Sequence, residues 1–179
     1  GLKIGTNFAN KNSPFWHQVN KLGAPANFFN TSFSLINNSK SIEFGFKAIV
    51  YNDKLTKSFI QVGYLSKKIN DYELKIGRWS NRLTSESNLS SGSLIRGNNS
   101  IPIPQISLFL PNYKKIQILE RQFFIKGGFS HGWLSKENYI KAPFLHEKYL
   151  YLKKRFNNDI ELDAGVFHEA IWGGETIEY

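Results

Sequence analysis

Three arginines, Arg78, Arg96 and Arg121, carry the planar donor fork that suits a carboxylate, and a carboxylate is what an acidic sugar presents. Arg78 closes an alternating segment, and Arg96 lies in GSLIRGNNS with Asn98 and Asn99 beside it and Gln105 a few residues on. Together they would line a polar channel or its mouth. The plainer reading pairs them with Glu73, Glu120 or a row of acids near the C-terminus. Trp133 and Trp172 offer flat apolar rings for pyranose C–H faces or for the headgroup level of a membrane. Their place at the ends of apolar strand faces favours the membrane girdle. His131, His146 and His168 fall at the ends of three neighbouring strands, and with Glu147 or Glu169 they form a conceivable metal set. No tight ligand spacing accompanies them, so the expectation is structural hydrogen bonding, with no metal and no cofactor. Glu161, Asp163 and Glu169 share one strand face, and two carboxylates ~5–9 Å apart can hydrolyse glycosides. A polar barrel interior supplies such rows by default, so the chain reads as no enzyme.

The elements that position these residues are strands. Ile160, Leu162, Ala164 and Val166 share one face of a period-two segment, and Glu161, Asp163, Gly165 and Glu169 share the other. Phe123 to Ser130 alternates likewise, and each apolar face ends in a His and then a Trp. The cleanest strand is Ile42 to Tyr51, with Ile42, Phe44, Phe46, Ala48 and Val50 on one side and Ile49 as the exception on the other. Further strands are expected at 2–9, 28–36, 58–68, 72–79, 105–110, 118–130, 144–156 and 160–170, with turns at NDKLT, KIND, PNYKK and NNDI. Residues 80–104 are too rich in Ser, Asn, Gly and Pro for regular pairing, with Gly92 and Gly97 supplying positive φ and Pro102 and Pro104 holding the chain extended. Loops of such length are usually functional or disordered. The total is roughly nine strands in a single domain over residues 1–179, without a convincing helix or an internal repeat.

Composition narrows the classes. Aromatic residues make up 15% and Cys is absent, which excludes disulfide staples and thiolate metal sites. No apolar run of ~20 residues exists, so no transmembrane helix is expected, but barrel strands give a far weaker hydropathy signal. An apolar strand face closed by an aromatic is what a membrane-spanning barrel strand needs. The net charge of +9 fits a solvated Lys-rich surface or an anionic partner. No helix-turn-helix, zinc-finger or RNA-binding signature accompanies it, so nucleic acid is not expected. The absence of Met and of a leader reads as a processed or partial chain. An even strand number is the rule for single-chain bacterial barrels, so closing strands are expected beyond Tyr179.

Several blocks in order carry a family resemblance: SPFWHQVNKLG, SSGSLIRGNNSIPIPQISLFLP, GGFSHGWLSKENYIKAPFLHEKYLYLK and HEAIWGG, spanning most of residues 13–174. In these the chain resembles the Wzi-type capsule assembly proteins of the outer membrane, in their Bacteroidetes-like form. The resemblance implies an all-β, antiparallel transmembrane outer-membrane barrel, incomplete in this chain. It implies a lectin-like, non-enzymatic protein holding capsular or surface polysaccharide at the cell outer membrane, in contact with outer-membrane lipid. A larger envelope assembly as a further partner is a separate reading, on which the sequence is silent. The glycan-binding residues expected are Arg78, Arg96, Asn98, Gln105, Arg121, Trp133, His146 and Trp172. Two rival readings are a passive outer-membrane pore or transporter barrel and a soluble β-sandwich that binds sugar.

Overall fold

The structure, a computed structural model, describes residues 1–7, 22–24, 30–38, 42–51, 58–80, 99–136, 139–156 and 160–176. Among these there is no helix. Ten strands form: β1 (Leu2–Asn7), β2 (Asn30–Asn38), β3 (Ile42–Tyr51), β4 (Phe59–Ile69), β5 (Tyr72–Arg78), β6 (Pro104–Phe109), β7 (Lys114–Ile118), β8 (Arg121–Trp133), β9 (Phe144–Arg155) and β10 (Glu161–Trp172). They make one antiparallel sheet in the order β1-β2-β3-β4-β5-β6-β8-β9-β10, with β7 also on β8. The sheet is not closed, and β1 and β10 stand at the ends of that order.

The count is ten rather than nine because the expected turn at PNYKK is not a turn. Residues 110–113 interrupt one strand path, and β6 and β7 both run antiparallel to β8. The reversal comes at Leu119 and Glu120, which both take left-handed backbone (φ 47° and 62°). Two positive φ values in a row suit a two-residue hairpin turn, but Leu-Glu carries none of the Asn-Gly chemistry that announces one. At the β4–β5 turn Asn70 takes φ 54°, and there the expected KIND turn stands.

The chain divides into two compact units. In the first (1–39, 43–65 and 77–102), β1 pairs with β2, and β2 with β3. Ile42, Phe44 and Val50 are exposed on one side of β3, and Ile49 and Tyr51 are buried on the other. Around them Tyr64 donates to Glu43 at 2.5 Å and sets its ring edge against Trp79, and buried Gln61 donates to the Leu22 carbonyl at 3.1 Å.

The second unit (40–42, 66–76 and 103–179) holds β6 to β10. Period-two alternation gives its sheet two unlike faces. One carries Phe123, Ile125, Leu150, Leu152, Leu162 and Val166, in register as Ile125↔Leu152 and Leu150↔Val166. The other carries rows Ser107↔Ser130↔Glu147 and Lys126↔Tyr151↔Gly165. The polarity is the reverse of a soluble core. Val166 is 71% exposed and Glu147 is 3% exposed. Across the described residues the buried apolar side chains are Ile49, Tyr51, Trp79, Leu110, Pro143 and Leu145. The buried polar ones are more numerous: Asn30, Gln61, Ser66, Glu73, Gln105, Ser107, Ser130 and Glu147.

Candidate functional site

Three of the eight candidate residues meet at one end of β8, β9 and β10. Antiparallel pairing places Trp133 opposite Phe144 and Phe144 opposite Trp172. Two residues further in, His131 faces His146. The rings form a continuous patch, with centroid separations of 4.9 Å for His131–Trp133, 4.7 Å for His131–His146, 5.1 Å for His146–Trp172 and 5.1 Å for Phe144–Trp172. Most are tilted or edge-on, as aromatic quadrupoles prefer. One residue pair deeper, Lys148 and His168 are partners and both are exposed. The whole patch stands on the exposed apolar face. The expectation that the histidines serve as structural hydrogen-bonders is corrected here. His131 and His146 make ring contacts, and none of His131, His146 and His168 has a hydrogen bond among the described residues. No group of three His, Asp or Glu among those residues is arranged for a metal ion.

Gln105 lies at the same end of the sheet, opposite Gly132, on the polar face. It is 1% exposed, and neither its amide oxygen nor its nitrogen has a partner among the described residues; the same is true of the Ser107 hydroxyl. Ser130 donates to Glu147 at 2.7 Å beside them. Arg121 sits at the opposite end of β8, beside the Leu119–Glu120 turn. There it edges an apolar pocket of about 240 Å³ with Phe123, Leu152, Lys154 and Leu162. It is not gathered with Gln105 or with the aromatic patch. Arg78, in the first unit, donates to the Ile60 carbonyl at 3.2 Å. In the second unit, Glu73 accepts from Ser66 at 2.6 Å and lies 3.9 Å from Lys75. Arg96 and Asn98 lie outside the described residues.

Two acids of the β10 row, Glu161 and Asp163, are paired. Glu161 accepts from Lys153 at 3.0 Å and Arg155 at 2.5 Å, and Lys153 also lies 3.9 Å from Asp163. Tyr113 donates to Asp163. Farther along, Glu169 stands directly opposite Glu147.

Sequence reasoning did not single out Phe144, Lys148, Tyr149 or Tyr151. On the polar face Tyr149 lies over Gly128, and Tyr151 lies over Gly165; a Cβ at either glycine would collide with the tyrosine ring. The signal was a Gly and a Tyr on partner strands, visible only once the register is known. Comparison with family models, curated proteins and solved structures finds no match to this chain.

Proposed function

We propose that this chain is part of the wall of an outer-membrane β-barrel that binds or anchors capsular or surface polysaccharide without chemistry. The observation that carries the reading is the reversed polarity of the sheet: apolar side chains outward, polar side chains buried. A strand whose apolar side meets lipid tails and whose polar side meets a wet interior has this pattern. Strands β8, β9 and β10 run 13, 12 and 12 residues, enough for the ~9–11 that a tilted strand needs to cross a bilayer. The connections alternate, with shorter ones at 39–41, 70–71, 119–120 and 156–160 and longer ones at 8–29, 52–58, 79–103 and 134–143. Outer-membrane barrels show this asymmetry between their two ends. Trp133, Phe144 and Trp172 form the aromatic row where the strands meet a long connection, as an interfacial girdle would. The open sheet leaves room for further strands, in keeping with a larger barrel. The net charge of +9 favours an acidic glycan, and the sequence blocks resembling the Wzi-type family point to a capsular one.

Two measurements test this. The full-length protein is expected to float with lipid vesicles and to retain acidic capsular glycan in a pull-down. Vesicle insertion with steady ion conductance and no glycan retention would favour the passive pore. A monomer of the chain in detergent-free buffer would favour the soluble sugar-binding module.

A further inference from the structure

A pocket of about 240 Å³ opens on the exposed apolar face, at the far end of β8 from Trp133. Phe123, Leu152, Phe156 and Leu162 line it together with two cations, Arg121 and Lys154. Period two puts Arg121 on the face of Phe123, and Lys154 on the face of Leu152 and of its partner Leu162. The Lys154 ammonium lies 4.8 Å over the Phe123 ring and donates to the Gln122 carbonyl at 3.1 Å. Gln122 is nearer the turn than Phe123, so the lysine stem leans towards the strand end, as a snorkelling side chain does. An ammonium has three donors, which leaves two for another partner. Arg121 has five, and none is engaged in a hydrogen bond or ion pair among the described residues.

Depth and charge identify the occupant. β8 runs 13 residues from Arg121 to Trp133, about 40 Å at the rise of a strand. With a barrel tilt of about 40° it spans ~30 Å along the membrane normal, which is the thickness of the hydrocarbon core. With the Trp133 ring at one headgroup level, Arg121 therefore stands at the other, where lipid phosphates lie. Resting on the membrane reading above, we infer that this pocket seats an anionic phospholipid, with an acyl chain against Phe123, Leu152 and Leu162 and the phosphate on Arg121 and Lys154.

The surrounding acids favour a net anionic head over a zwitterionic one. Glu161 and Asp163 alternate onto the opposite face, where Lys153 and Arg155 pair with Glu161 and Tyr113 with Asp163. Asp71 is held by Lys114 at 2.5 Å. Glu120, in the turn, is the one acid beside Arg121. Two cations against one carboxylate leave a positive rim and little to hold a choline.

The experiment is native mass spectrometry of the full-length protein in zwitterionic detergent, offered phosphatidylglycerol, phosphatidylcholine or glycerol 3-phosphate. Phosphatidylglycerol should be retained roughly tenfold better than phosphatidylcholine, the size of one charge-assisted hydrogen bond. Glycerol 3-phosphate, which has the anion and no acyl chain, should not be retained. Arg121→Gln with Lys154→Gln should bring the two lipids level, and Ala164→Phe, which fills the pocket, should lower both. Flotation with vesicles checks that each variant still folds. Equal retention of the two lipids by the wild type, an unchanged preference in the double variant, or glycerol 3-phosphate held as well as the lipid would overturn the phospholipid site. So would full lipid retention by Ala164→Phe. Each of these leaves the membrane reading standing, whereas failure of the wild-type protein to enter vesicles would overturn both.

Discussion

The hydroxyl of Ser130 donates to Glu147 across β8 and β9 at 2.7 Å, and both side chains are buried. Their immediate chain neighbours, Phe129 and Lys148, are exposed on the opposite face. One step along each strand thus crosses from a closed polar layer to an open apolar one. Removing the hydroxyl leaves a carboxylate at 3% exposure one hydrogen bond poorer. Ser130→Ala is therefore expected to cost about 1–3 kcal/mol, read from guanidinium unfolding in detergent. Glu147→Gln, which keeps an acceptor for Ser130 and relieves the Glu169 opposite, should cost less. A Glu147→Gln penalty larger than that of Ser130→Ala would show that the charge itself is held by the fold.

The exposed face gives a sharper contrast. Val166 and Leu150 are partners on that face, and both stand open. If they meet hydrocarbon, Val166→Lys or Leu150→Arg should cost ~2–4 kcal/mol and block vesicle insertion. The same holds for Val50→Lys on β3. Lys126→Gln, on the polar side, should be nearly silent. Flotation with lipid vesicles reads all four variants.

Strand identity was legible because alternation is a local property. Ile42–Tyr51 has the expected bounds, and the faces of β10 fall as period two requires. The Leu119–Glu120 reversal was not legible, because turn chemistry is read from Asn, Gly and Pro, and the nearby PNY drew the turn to itself. For the candidate site, Trp133, His146 and Trp172 come together because each was placed at the end of a strand that the register then aligned. Arg121 lies at the turn end of β8, two residues from Phe123 and so on its face, and the register keeps it apart from Gln105 at the other end. Alternation put the histidines on the apolar face, but which of them stand side by side depends on the register.

The tyrosines of β9 make the last test one of shape. Tyr151 lies flat over Gly165 on the partner strand, where a Cβ would meet its ring. The missing side chain is what lets the ring lie against the backbone. Gly165→Val should lift Tyr151 and cost about 1–3 kcal/mol by overpacking. Gly165→Val with Tyr151→Ala should restore part of that loss, since the second change removes the ring the valine strikes. A double-mutant cycle from unfolding midpoints measures the coupling. Additive losses would mean that the ring and the glycine do not share the space, and the polar face would then be shaped by something other than this contact.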